Sequence, residues 1–582
     1  MNQSTSRLIT GAMIAALLFA CGSPPREQAT APTPEPPTPL RTVDWPSFVA
    51  EFIEDYFRAN PTYAVGSGRH EFDGRLPDWS RAGIQQEIAR LEQWRGKTLA
   101  YPEAGLSLEE RFQREYLVSR IDRDLFWVRD ARLPMTNPAF YFDNGLDPST
   151  YVVVPYAPAQ QRAQAFIDYA RAIPDALAQI RTNLESPLPS SFIDYGVSGF
   201  KGFAGFYRDD VPAAFAQIQD PALRRELDAV IEPAAQAMED MAAWLESEKT
   251  RAGAAFALGP ERFAAMLRMT EGVVTPLAKI DQIGRADLQR NLDLLAQACK
   301  AYAPGKSIKV CVDTVGADKP QGGAVPGARN QLTELRQFIV DHNIVSIPGT
   351  EQALVEEAPA YRRQNFAFIN IPGPYEQNLP SVYYIAPPDP QWSKAEQDAY
   401  VPGKADLLFT SVHEVWPGHF LQFLHSNRST SRFGQLFVGY AFAEGWAHYS
   451  EELMVEEGLA KGRPDLQIGQ SLNALLRNVR YLCAIGLHTQ GMSVVECEQL
   501  FKDKAYQDAG NARQQAARGT YDPAYLNYTL GKLMIRKLRA DWEAAHPGQS
   551  RQRFHDEFLS YGGPPIPLVR ARMLRSAEGE LF

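Results

Sequence analysis

The chain has 582 residues, 45% of them hydrophobic and 22% charged, and a formal net charge of −10. That is the composition of a globular enzyme, long enough for two domains or one large helical one. No lysine- or arginine-rich run occurs, so a nucleic-acid partner has no electrostatic footprint here.

Residues 1–20 read as a signal peptide. Arg7 gives a weakly positive start, and Leu8 to Ala20 is a mostly apolar run of 13, too short for a membrane-spanning helix. The ending Leu18-Phe19-Ala20-Cys21 resembles a bacterial lipobox. That implies cleavage before Cys21, lipidation of its thiol, and anchorage in the cell envelope with the body facing the periplasm or the exterior. An ordinary secretory signal with an incidental cysteine is the alternative. Residues 21–42 complete this segment: Pro24 to Thr42 is rich in proline, alanine and threonine without apolar periodicity, the composition of a semi-extended tether.

Residues 43–340 read as a helical N-terminal part, and 341–582 as a part that carries the chemistry; the two can form one continuous domain. Helices are expected over Trp45 to Arg58, Ile84 to Trp94, Leu108 to Val128, Ala159 to Leu184, Asp220 to Arg251 and Arg262 to Tyr302. Pro174 and Pro233 can kink or split theirs. Ser190 to Phe206, with glycines and serines near its middle, is more loop-like. His70 has no second histidine nearby and is expected in a turn or core. No internal repeat and no G-x-x-x-x-G-K-S/T phosphate loop is present.

Between residues 343 and 392 the texture changes. Ile344 to Ile347, Phe366 to Ile371 and Val382 to Ala386 are short, apolar and bounded by prolines and glycines, which suggests a small sheet. Tyr383 and Tyr384 lie in its last segment, where they can simply pack or can meet an extended peptide added as a strand.

The chemistry concentrates in HEVWPGHF, His413 to Phe420, and AEGWAHYSEE, Ala443 to Glu452. A zinc peptidase needs two neutral imidazoles, a carboxylate ligand, and a free carboxylate to take a proton from the activated water. The assignment is His413, His419 and Glu444 on zinc, with Glu414 as the base. The histidines are at i and i+6, a rotation of about 600° on an ideal helix, so two residues must be looped out. Pro417-Gly418 suits that role; a helix ending at Pro-Gly with incidental histidines is the bland alternative. Glu444 and His448 share a face at i and i+4. His448 competes as a third ligand but fits better beside Glu444 or facing substrate. Glu451 and Glu452 are expected on a solvated face.

HEVWPGHFLQ followed by EGWAHYSEEL resembles the bacterial family catalogued as domain of unknown function 885, whose motifs run approximately HEAIPGHHLQ and EGWALYAE. FIEDYFRANPTYAVGSGRHEFDGRLPDWS, VRYLCAIGLHTQG and YLNYTLGKLMIRKLR extend the resemblance over nearly the whole mature chain. It implies a mainly α, gluzincin-like metallohydrolase fold with peptidase activity, to which the segments between 343 and 392 would add a small sheet beside the cleft. Phe420 stands where a second histidine is frequent, His448 where leucine is usual, and Ala484 where an aspartate often occurs.

Downstream, Ser471 to His488 is an amphipathic helix with Arg477, Tyr481, Ala484 and His488 on one stripe. His488, inside the family-like Gly-Leu-His, is the first candidate for the oxyanion. Arg480 matches a family position and can anchor a substrate carboxylate or form a structural salt bridge. Asp522 and Pro523 are expected to open the last long helix. Tyr528 matches the family's tyrosine before Gly-Lys-Leu and is the candidate hydroxyl donor to the intermediate. The even set Cys299, Cys311, Cys483 and Cys497 fits an exported protein. Proximity favours Cys299–Cys311 and Cys483–Cys497, but three connectivities are open and free thiols are the alternative.

The expected function is an exported zinc hydrolase acting on peptide or small amide substrates. The rivals are a metal-dependent amidase or esterase on a non-peptide substrate, and a lipoprotein that only binds.

Overall fold

In the computed structural model of the protein, residues 44–253, 255–359, 363, 366–576 and 579–582 are described. The signal peptide, Cys21 and the tether lie outside these residues. The protein is mainly α, with one three-stranded sheet.

Local sequence explains many of the boundaries. Trp45–Ala59 opens on Asp44, whose side chain accepts from Ser47 N–H, and presents Phe48, Phe52, Tyr56 and Phe57 to the core. Leu108–Leu125 opens on a capping box between Ser107 and Glu110 and runs into a wider turn over Phe126–Asp130. Ala159–Asn183 and Pro221–Glu248 stay continuous through Pro174 and Pro233. The expected helix Arg262 to Tyr302 is two, Pro260–Glu271 and Leu277–Tyr302, because Gly272 ends the first in a left-handed conformation at φ 69°.

Ser190 to Phe206 is not a loop. It lies in the helix Ser190–Ala214, packed against Pro221–Glu248. Its glycines thin one face: a Cβ on Gly199 would fall 2.3 Å from the Phe142 ring. A glycine cluster that reads as a turn is therefore a packing groove.

The sheet has order β1-β3-β2, with β1 (Ala353–Glu357) parallel and β2 (Ala367–Asn370) antiparallel to the central β3 (Ser381–Ile385). Ile344 to Ile347 is not one of its strands. His555 Nδ1 donates to Ile344 O at 2.7 Å, and Asp556 accepts from Ser346 N–H at 2.8 Å, so side chains hold this segment in place of a ladder.

The apolar core does not divide near residue 340. One cluster runs from Trp45 to Leu245 and takes in Phe433, Leu436 and Phe437; a second links Phe263, Ile280 and Ile339 to the helices of the metal motifs, and a small third lies on the sheet around Val382 and Tyr384. The connection after His419 plugs into the N-terminal part: Phe437 stacks on Tyr63 at 5.9 Å, and Tyr116 Oη donates to Phe437 O. Both disulfides favoured by proximity are present, Cys299–Cys311 and Cys483–Cys497. Among the described residues no helix is long and apolar enough to cross a membrane.

Candidate metal centre

The helix Lys404–Glu414 ends with His413 and Glu414, and the helix His419–Ser426 begins at once with the second imidazole. Four residues, Val415 to Gly418, form the break, two more than the minimum, and include a cis Trp416–Pro417 peptide. Close approach explains the glycine: a Cβ on Gly418 would lie 1.8 Å from His413 O. Trp446 Nε1–H donates to Pro417 O at 2.8 Å, tying the break to the helix Tyr440–Glu456.

That helix brings Glu444. Its Oε2 is 3.2 Å from His413 Nε2 and 3.3 Å from His419 Nε2, and one donor atom from each of the three residues lies within 4.8 Å of the others. Tetrahedral zinc with bonds of about 2.0–2.1 Å requires ligand-to-ligand edges of about 3.3–3.4 Å, so the two measured edges and the nitrogen–oxygen donor set fit that ion. Glu414 lines the same cleft as the three donors.

A carboxylate stands behind the cluster. His413 Nδ1 meets Glu451 Oε1 at 2.7 Å, Arg477 reaches the same oxygen at 3.0 Å, and His448 Nδ1 approaches Oε2 at 3.2 Å. Burial would raise the Glu451 pKa, but Arg477 and the two histidines hold it well below the carboxylate range. Burial and Arg477 oppose a proton on His413, yet Glu444 and Glu451 hold its pKa up at about 9. The expectation of a solvated face for Glu451 and Glu452 is thus corrected. Both are buried, and Glu452 joins Asp287, Lys532, Arg290 and Arg536 in an ionic cluster. Glu444, His448 and Glu451 recur at i, i+4 and i+7, the periodicity that could have put Glu451 on the ligand's face.

His448 is fully buried beside Glu451 rather than beside Glu444, and it does not line the cleft. Burial and nearby Lys532 push its pKa down to about 4, so it is neutral. His488 is also misplaced by the sequence reading. Its Nδ1 accepts from Leu258 N–H at 3.2 Å and its Nε2 donates to Gly519 O at 2.8 Å, between the rings of Phe256 and Phe263. With both nitrogens committed to backbone it has nothing to offer an oxyanion. Tyr384 does not line the cleft either. It sits on the central strand with Phe368 at 5.2 Å, while the edge strand β2 lines the cleft. Neither Tyr383 nor Tyr384 can pair with an added strand.

Tyr528 does reach the site. Its ring centroid is 6.1 Å from that of His413, and Arg480 Cζ lies over it at 5.0 Å. Burial and Glu444 raise its pKa against the pull of Arg518, Arg480 and Arg477, so the hydroxyl keeps its proton. The helix Asn527–Ala545 approaches Tyr440–Glu456 closely because Gly531 and Gly445 face each other. Asp522 does not cap this helix, which is preceded by a tight turn over Pro523–Leu526. Its carboxylate accepts from Arg518 at 2.9 Å and from the Tyr440 hydroxyl at 3.2 Å. Arg518 went unnoticed in the sequence because nothing local marks it. The cleft they line measures about 2970 Å³ and is walled by both parts of the chain.

Residues 61–573 match the family described as "Bacterial protein of unknown function (DUF885)". No curated protein matches the chain. Two solved structures are similar. One is a candidate lipoprotein of unknown function from Shewanella oneidensis, with a TM-score of 0.76 and 22% identity over 92% of this chain and 100% of its own. The other is a candidate lipoprotein from Colwellia psychrerythraea, with a TM-score of 0.77 and 17% identity over 91% of this chain and 98% of its own. At those identities the likeness is one of fold.

Proposed function

The chain belongs to the DUF885 family, which is defined without a function, and from the chemistry of its own residues we propose that it is a zinc-dependent hydrolase of peptide bonds. The observation that carries this reading is the convergence of His413, His419 and Glu444 within 4.8 Å, with Glu414 beside them on one cleft.

A divalent ion held by those three donors would supply the Lewis acidity that polarises a carbonyl and acidifies water. Glu414 accepts the proton of the attacking water and returns it to the leaving amine. Tyr528, protonated and beside His413, donates its hydroxyl to the oxygen that gains charge. Glu451 orients His413 through Nδ1, leaving Nε2 turned to Glu444. The volume of about 2970 Å³ exceeds the roughly 300–1,000 Å³ of small-molecule pockets, which favours an extended substrate. The edge strand β2, packed near the His413 helix and lining the cleft, suits pairing with a peptide backbone.

The lipobox-like Leu-Phe-Ala-Cys21, the two disulfides and the description of both similar structures as candidate lipoproteins support an envelope location, anchored through Cys21. Labelling with a fatty-acid probe, lost in Cys21→Ser, tests that placement. The activity is tested by metal analysis of purified protein paired with a peptide-library digest. Stoichiometric zinc and cleavage abolished by chelator are expected. Cleavage of simple amides or esters with no peptide cut would turn the reading to an amidase or esterase. A protein that holds no metal would end it.

A further inference from the structure

Three arginines, Arg477, Arg480 and Arg518, line the cleft around Tyr528, and two of them are neutralised. Arg477 pairs with Glu451 at 3.0 Å and Arg518 with Asp522 at 2.9 Å. Among the described residues no carboxylate lies within 4.0 Å of Arg480, although the residue is only 8% exposed. Its recorded hydrogen bond runs from Nε–H to the neutral Gln515 Oε1 at 2.8 Å. A guanidinium with no counter-charge is costly to bury, and two more cations beside it raise that cost. The Tyr528 face and Gln515 offset part of that cost, but neither supplies the opposite charge that completes the site. A ligand's negative charge does.

The position sets what kind of ligand. The Tyr528 ring neighbours both groups, with the His413 ring centroid at 6.1 Å and Arg480 Cζ at 5.0 Å from its centre, so the guanidinium is within the reach of a short peptide segment from the triad. One extended residue spans about 3.3–3.6 Å, so a chain whose carbonyl sits at the metal triad can bring a carboxylate one or two residues further on to Arg480.

We propose that Arg480 is the carboxylate-recognition residue of this cleft and selects peptides bearing a carboxylate one or two residues beyond the scissile bond. This rests on the hydrolase reading above. The α-carboxylate of a C-terminus makes the protein an exopeptidase; an acidic side chain at the same place satisfies the same chemistry.

The test uses three matched peptides: one with a free C-terminal carboxylate, its neutral C-terminal amide, and an amide with glutamate as last residue. Each is assayed for kcat/KM and, separately, for equilibrium binding by calorimetry, with the full-length protein and with Arg480→Gln. One carboxylate-bearing peptide should outperform the neutral amide by about 100-fold in the unaltered protein. The preference should vanish in Arg480→Gln, with kcat/KM on the acid falling to that of the neutral amide in the same variant. Preference for the free acid identifies the C-terminus, and preference for the glutamyl amide identifies a side chain. Equal handling of all three peptides overturns the proposal. If no peptide is cleaved, the hydrolase reading fails, and the calorimetry decides alone: carboxylate-dependent binding lost in Arg480→Gln supports the subsite, and indifference to the carboxylate removes it. Comparison of acid with amide in the unaltered protein suffices should Arg480→Gln not fold.

Discussion

His413 Nδ1 lies 2.7 Å from Glu451 Oε1, on a carboxylate that Arg477 shares at 3.0 Å. Glu451 comes two turns after Glu444 on one helix, so the helix that supplies a ligand also steers the imidazole next to it.

Removing that charge should loosen the ion without emptying the fold. Glu451→Gln is expected to weaken zinc binding by about 10- to 100-fold. A competition titration against a chelator measures it. Affinity equal to the unaltered protein would make Glu451 a structural anion only.

Glu414 and His413 should separate cleanly. Glu414→Gln is expected to retain zinc and lose about 10²- to 10⁴-fold in kcat. His413→Ala should lose the metal itself. Elemental analysis beside a rate measurement distinguishes the two, and full activity in Glu414→Gln would take the base role from it.

His488→Gln addresses the corrected residue. The ring bridges Leu258 N–H and Gly519 O away from the cleft, so the loss should be about 1–3 kcal/mol of stability with kcat within a few-fold. A fall in kcat of several hundred-fold at unchanged melting temperature would return His488 to the chemistry.

Glu271 should make stability fall as pH rises. Burial raises its pKa to about 7, against the pull of Arg123 and the Ala441 N–H, so the folded state holds a proton that the unfolded chain releases near 4.5. The folded form therefore loses ground from about pH 4.5 through pH 7, by a few kcal/mol, and no further above that. Glu271→Gln should melt higher than the unaltered protein at pH 8 and match it at pH 5. Melting curves of the two that run parallel across this range would refute the shift.

Lys532 is fully buried between Asp287 at 2.7 Å and Glu452 at 3.5 Å. Lys532→Met removes the fully buried cation of the cluster and leaves the two carboxylates to Arg290 and Arg536, at an expected cost of about 3–5 kcal/mol, read by denaturant titration. Asp287 is held below its usual range despite burial, by Lys532 and Arg290, so its contribution is present above about pH 4 and lost on acidification. A Lys532→Met protein of undiminished stability would show that the cluster is not cooperative.

Much of this molecule is legible without coordinates. Apolar periodicity locates Trp45–Ala59, Leu108–Leu125, Ala159–Asn183 and Pro221–Glu248 to within a few residues, and proximity picks both disulfides. Residue type and spacing single out His413, His419 and Glu444, because a proline and glycine between two histidines leave few ways to use both. Other positions misled for physical reasons. Glycines in Ser190–Ala214 signal a loop to propensity but a close helix contact to packing. Ile344 to Ile347 has strand composition, yet its polar backbone groups are met by His555 and Asp556 more than 200 residues away.

Periodicity thus assigned residues to faces, since that depends only on the helical repeat. Tertiary structure decided what each face meets. Glu451 became buried because Arg477 and His413 compensate its charge, His488 turned inward because two backbone groups claim its nitrogens, and Arg480 was left with neutral Gln515. The energy of a buried charge or imidazole is set by partners from distant segments, and those partners are known only once the chain has closed around them.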